Sequence, residues 1–275
     1  MIVRFWGVRG SIPCPGPKTV RYGGNTSCIE LAMPEVSRRI IIDAGSGIRE
    51  LGAYILNEGT ITKQEKIKIF LTHTHWDHIM GFPFFAPMYM PDAHIQIFGP
   101  RASEKDSLEE IVGGQWTYNY FPVLQKDLAA TVEYIELKEG EYDLGMGLRL
   151  KTKLLFHPIS CLGYRFEYKD KCFCTLFDTE PFKDRDEIIE FVKGADLIVH
   201  DAQYTEEEYR SAKEGWGHSY IEYALDIGIK AGAKRLAFFH HDPDRTDEEL
   251  DNLGNNYNSK EIESFFAKEK QEVVL

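Results

Sequence analysis

A chain of 275 residues with 44 acidic against 32 basic side chains carries a formal charge of −12. That balance disfavours a broad electrostatic grip on nucleic acid, whose affinity comes from neutralised phosphates, though it leaves room for a deep local cationic site. No apolar stretch approaches the ~20 residues of a membrane span, and MIVRFWGVRG lacks the layout of a secretory signal. Five scattered cysteines (Cys14, Cys28, Cys161, Cys172 and Cys174) argue against a disulfide framework, so the expected setting is the cytoplasm.

Strand-like runs fall at 1–7, 27–33, 38–45, 66–73, 94–100, 131–137, 148–157, 162–168, 172–178, 195–201 and 234–241. Helical spacing appears at 46–59, 186–194 and 219–233, each stopping at a glycine suited to a C-cap. Segment 259–270, opening at Ser259, reads as a further helix, and Thr246 as a helix cap in an acidic stretch to which no chemistry is assigned. No repeat, low-complexity tract or long linker interrupts the chain, so 1–275 is expected to form one α/β domain. Two sheets back to back with helices outside would bury both sets of apolar faces.

Ionisable residues sit at the ends of six of these runs: Asp43, His73, His157, Asp178, His200 with Asp201, and His240 with His241. Loops converge at strand ends while the sheet holds their bases, which makes that edge a natural place for a site. One histidine there is commonly a hydrogen-bonded structural side chain, but LTHTHWDHIMG gathers three histidines and an aspartate within six positions. Desolvating them is costly unless a cation compensates. His73 and His75, two apart in extended chain, point the same way and can reach one metal at ~2.0–2.1 Å, with His157 as third nitrogen. Asp77 and His78 then diverge by about 100° and suit a second ion. Asp178 can bridge the two and His240 complete the second, strand alternation sending His241 the other way.

THTHWDH matches the HxHxDH signature of the metallo-β-lactamase fold superfamily, and Asp43, His157, Asp178 and His240 follow in the order of its remaining motifs. The resemblance spans nearly the whole chain. Within the superfamily, HDAQY at 200–204 followed by GHSY at 217–220 resembles the RNase Z-like and phosphodiesterase branch. The resemblance implies a four-layer αβ/βα sandwich (the metallo-β-lactamase fold) and two divalent metal ions, zinc first, with manganese or iron as alternatives. It also implies that His218 protonates the leaving group and Asp201 orients it. The chemistry agrees independently, because an alkoxide leaves phosphorus readily only when protonated and histidine is the usual acid at neutral pH. Asp77 is expected to steer the proton of the nucleophile besides ligating. A plainer alternative has Ser219 capping the following helix and His218 merely exposed. Diiron relatives carry a glutamate where this chain has His75.

The expected function is hydrolysis of a small phosphodiester such as a cyclic nucleotide, with nucleic acid disfavoured as a partner and a homodimer compatible with the sequence. No Gly/Pro-rich basic arm for clamping transfer RNA is present. In GGQWTYNYFPVLQKDL, Trp116, Tyr118 and Tyr120 either stack on a base or cover the sheet, and Gly23–Gly24–Asn25 either contacts phosphate or makes a turn. The alternatives are an RNA 3′-processing endonuclease of RNase Z type, an acyl hydrolase of lactamase, lactonase or thioesterase type, and a non-catalytic metal-binding protein.

Overall fold

The structure is a computed structural model describing residues 1–34, 38–59, 61, 66–101, 105–181 and 185–275. Its first sheet takes β1 (Ile2–Gly7), β2 (Cys28–Met33), β3 (Arg38–Ile42), β4 (Lys66–Phe70), β5 (His94–Pro100) and β6 (Thr131–Leu137). The second takes β7 (Gly140–Asp143), β8 (Leu148–Leu155), β9 (Cys161–Tyr168), β10 (Lys171–Leu176), β11 (Leu197–Asp201), β12 (Arg235–Phe239) and β13 (Glu263–Phe266). The chain end returns as β14 (Glu272–Val274) beside β1, giving the orders β14-β1-β2-β3-β4-β5-β6 and β13-β12-β11-β10-β9-β8-β7. Each sheet is antiparallel on one side and parallel on the other, with β3 to β6 parallel in the first and β10 to β13 parallel in the second.

Period-two alternation explains the layering. Ile40 and Ile42 of β3, Leu197 and Val199 of β11, and Ala237 and Phe239 of β12 face a core between the sheets. Ile41 faces the opposite way, under α1 (Ile48–Glu58), while Ile198, Leu236 and Phe238 lie under the helices of the second sheet. Phe70 binds the two sheets together, stacked on Phe98 at 4.5 Å and edge-on to Tyr164 and Phe166 of the opposite sheet at 5.7 and 5.4 Å. The expected four-layer αβ/βα sandwich is what the chain forms. Among the described residues no helix is long and apolar enough to cross a membrane.

The remaining helices are α2 (Trp76–Ile79), α3 (Leu108–Gly113), α4 (Arg185–Val192), α5 (Glu206–Glu208), α6 (Ile221–Lys230) and α7 (Asp247–Asn256). The expected helix at 259–270 is a correction, because Glu263–Phe266 instead pairs parallel with β12. Phe265 and Phe266 are adjacent, so an edge strand can offer one ring to each face; Phe266 packs on Phe238 at 4.8 Å while Phe265 lies against the inter-sheet core. Thr246 does cap α7, its hydroxyl accepting from the Glu249 N–H while the Glu249 side chain accepts from the Thr246 N–H. Thr246→Ala is expected to lower stability by about 1 kcal/mol, read as a urea midpoint shift. An unchanged midpoint would show that the cap contributes nothing.

Candidate active site and metal centre

Three strands end at the site in left-handed backbone. Asp43 (φ 59°), Asp178 (φ 43°) and His240 (φ 59°) follow Ile42, Phe177 and Phe239, each packed between the sheets. Strict alternation would send the next side chain to the outer helices, so the left-handed turn brings these three back over the sheet edge. Such backbone costs about 1–3 kcal/mol per residue and persists where the surroundings over-determine it. The HTHWDH segment is held from the opposite sheet, the Leu162 N–H donating to Thr72 O at 2.9 Å and the Tyr164 hydroxyl to Leu71 O.

These elements gather His73, His75, His157 and Asp178 in one group and Asp77, His78, His240 and Asp178 in a second, the ligand atoms of each lying within 4.8 Å of one another. His75 Nδ1 and His157 Nε2 are 3.0 Å apart, and His73 Nε2 is 3.4 Å from Asp178 Oδ2. His78 Nε2 lies 3.2 Å from both Asp77 Oδ2 and Asp178 Oδ2, while His240 Nε2 is 3.0 Å from Asp77 Oδ2 and 3.3 Å from Asp178 Oδ1. Donors on a tetrahedral ion with ~2.0–2.1 Å bonds sit about 3.3–3.4 Å apart, so these separations suit donors around a common centre. His73 Nε2 and Asp178 Oδ1 are buried without a hydrogen-bond partner, an expensive state that a cation relieves. The donor set fits divalent ions, with Asp178 common to both groups.

Protonation agrees. Burial, reinforced by neighbouring His78, holds the His73 imidazole well below its ordinary pKa, in the neutral form that can ligate. Burial opposes the ionised carboxylates, but His240, His78 and His73 outweigh it at Asp178, and His78 with His240 does so at Asp77, leaving both well below the carboxylate range. The outer nitrogens are occupied: His157 Nδ1–H donates to Gly217 O (2.9 Å), His78 Nδ1 meets Asp43 Oδ2 (2.8 Å), and His240 Nδ1 meets Gln203 Oε1 (3.0 Å). These contacts aim each inner nitrogen at the cluster. Asp43 is itself fixed by the Thr72 N–H at 2.7 Å. Asp43→Asn turns an amide N–H toward His78 Nδ1 and favours the wrong tautomer, so metal affinity is expected to fall ~10–100-fold in a competitive chelator titration. Unchanged affinity would remove Asp43 from this role.

Beside the second group, His218 Nδ1–H donates to Asp201 Oδ2 at 3.0 Å, and its ring stacks on His240 at 4.8 Å. Burial works against its charge, but Asp201, then Asp178 and Asp77, outweigh it and lift its pKa to about 9. Asp201 also accepts from the N–H groups of Thr179, Gln203 and Ser219. Ser219 does not cap the following helix; Tyr220 holds that position, and the Ser219 hydroxyl donates to Thr179 O. His200 and His241 turn away from the cluster. His200 lies on the outer face of β11 against Tyr223, and His241 Nε2–H donates to Ala267 O at 2.8 Å.

Several participants escaped the sequence reading. The Ser11 N–H donates to Asp77 Oδ2 at 2.7 Å, and a Cβ on Gly10 would sit 2.3 Å from His240 Nδ1, so only glycine lets this loop approach. Buried Glu180 accepts from the Gly217 N–H at 2.9 Å and the Tyr209 hydroxyl at 3.4 Å, tying the His218 loop down. Gln203 was visible within HDAQY, two positions from Asp201, whereas Ser11 acts through its backbone and carries no side-chain signal. Of the two uses open to the aromatic stretch, Trp116 takes the covering one, buried among Phe82 and its neighbours, while Tyr118 and Tyr120 are exposed. At Gly23–Gly24–Asn25 the Gly23 N–H is taken by Thr19 O and the Asn25 N–H by Glu269, which is the turn reading.

Residues 38–241 match the family model for a β-lactamase superfamily domain. The chain belongs to the metallo-β-lactamase superfamily. It is a metal-dependent hydrolase, with the His/Asp cluster suited to divalent ions. This hydrolase is 26% identical over 269 aligned residues to the ribonuclease Z of Lactococcus lactis subsp. lactis (strain IL1403), covering 78% of this chain and 83% of that protein. Among solved structures it resembles the metallo-β-lactamase fold protein YhfI of Bacillus subtilis, with TM-score 0.73, 19% identity and 99% of both chains covered. It also resembles a diphosphatase of the PhnP family, with TM-score 0.69, 21% identity, and 100% of this chain and 97% of that one covered.

Proposed function

We propose that the protein is a dinuclear phosphodiesterase acting on a small phosphodiester such as a cyclic nucleotide. The observation that carries this reading is the His218–Asp201 pair beside the metal-ligating cluster. His73, His75, His157 and Asp178 would hold one cation, and Asp77, His78, His240 and Asp178 the other, zinc first on this nitrogen-rich set, with manganese or iron as alternatives. Bound there, the cations supply Lewis acidity toward phosphoryl oxygens and a hydroxide nucleophile near neutral pH. With Nδ1 committed to Asp201, His218 has Nε2 to donate to the departing oxygen, the proton an alkoxide needs. Asp77, whose carboxylate accepts from the Ser11 N–H, would orient the proton of the nucleophile. Acyl transfer has less need of such an acid.

The ribonuclease Z relative supports a second reading, RNA 3′-processing. Against it stand the charge of −12 and the alignment itself, which extends over 269 residues yet takes in 78% of this chain, so the relative carries segments this chain lacks. Five free cysteines agree with a reducing compartment, and we place the enzyme in the cytoplasm. The test is hydrolysis of bis(p-nitrophenyl) phosphate, cyclic nucleotides, a thioester and a precursor transfer RNA by zinc- or manganese-reconstituted protein. Phosphodiester cleavage is expected; preference for the thioester overturns the reading, and a higher kcat/KM on the RNA than on small diesters selects the second.

A further inference from the structure

Three large rings stand in solvent on the very segments that build the site. Trp76 lies between His75 and Asp77 and is 79% exposed; Phe156 precedes His157 and is 55% exposed; Trp216 precedes Gly217 and is 58% exposed. Exposed apolar rings are costly to hydration and, when clustered, mark binding surfaces. The segments that carry them meet at the candidate metal centre. His157 Nε2 lies 3.0 Å from His75 Nδ1, and His157 Nδ1–H donates to Gly217 O at 2.9 Å. Glu180 joins the other two ring-bearing segments, its N–H donating to Phe156 O at 2.9 Å while its carboxylate accepts from the Gly217 N–H. The rings are therefore carried on segments that converge on the same group of donors.

A cation accompanies them. Lys213 Nζ sits 4.0 Å over the Trp216 ring and 5.5 Å from that of Tyr204, which in turn meets the His218 ring edge-on at 6.2 Å. The positive group thus lies on the side of the site where the leaving group is handled, and it steadies the indole by cation–π attraction.

Resting on the phosphodiesterase reading, we propose that Trp76, Phe156 and Trp216 form an aromatic frame at the mouth of the site that receives a nucleobase, so that the substrates are phosphodiesters bearing an aromatic base. Flat π-faces select a planar heterocycle over an alkyl chain, and they do so with little regard to which base it is. The acidic chain suits one or two bases better than a polyanion.

The experiment compares kcat/KM for 3′,5′-cyclic AMP with that for trimethylene phosphate, a six-membered cyclic diester like it but without a base, using metal-reconstituted wild type, Trp76→Ala, Trp216→Ala and the two Trp→Phe variants. The wild-type ratio is expected to favour the nucleotide. Each alanine should lower that ratio by roughly 5–150-fold, the loss of one base–aromatic stack, and phenylalanine should restore most of it. Titration with AMP, followed by tryptophan fluorescence, reads the frame without turnover; quenching is expected in wild type and should weaken in both alanine variants. A wild-type ratio near one, with AMP quenching unchanged by either alanine, overturns the frame while leaving the phosphodiesterase reading intact. Cleavage of neither diester overturns both. A shift in oligomeric state in the variants with unaltered AMP binding assigns the rings to a contact between copies and also overturns the frame.

Discussion

His75→Ala is expected to abolish turnover and to lower the metal content found by elemental analysis of protein dialysed against trace zinc. His75 Nδ1 stands 3.0 Å from His157 Nε2 in the group that also holds the unpartnered His73 Nε2, so its loss removes one of three nitrogens from a single group. Losing the support behind a ligand already costs ~10–100-fold in affinity, and losing the ligand itself costs more. His75 is half-buried and its replacement opens space near the mouth rather than in the core, so the variant should still fold. Full metal content together with full activity would contradict the assignment. Loss of activity with full metal content would move His75 from ligation to substrate contact.

His218→Ala is expected to keep the metal and lose roughly 10²–10⁴-fold in kcat on a diester with an alkoxide leaving group. The loss should shrink with a p-nitrophenolate leaving group, which departs without a proton. A loss of equal size on both substrates would show that His218 serves something other than the leaving oxygen. Replacing His218 is cleaner than replacing Asp201, because Asp201 also accepts from the Thr179, Gln203 and Ser219 N–H groups and its loss would free three loops at once. A drop in metal content in the His218 variant would implicate the ring stacking on His240 in the integrity of the second group.

The inner strands were legible because they are long apolar runs with period-two spacing, buried on both faces. The edges were not. β7 is four residues of GEYD, β14 pairs Val274 with Ile2 across almost the entire chain, and β13 carries a composition that suits a helix equally well until β12 lies beside it. Edge strands are short and polar, and their partner rather than their sequence makes them strands.

The same division runs through the site. That histidines and aspartates stand at the ends of apolar strands is written in the residue order, since a strand must end where its apolar run ends, and HTHWDH holds its donors within one turn of chain. Sequence alone thus determined which segments carry donors and that a cation suits them. Which donors meet was decided in three dimensions. Left-handed backbone at Asp43, Asp178 and His240 turns side chains that alternation would have sent outward, while His200 and His241, equally good ligands by type, end against Tyr223 and Ala267. Trp116 is buried and Trp216 exposed for the same reason: direction depends on φ and on what packs opposite, and both are set by contacts between segments far apart in the chain.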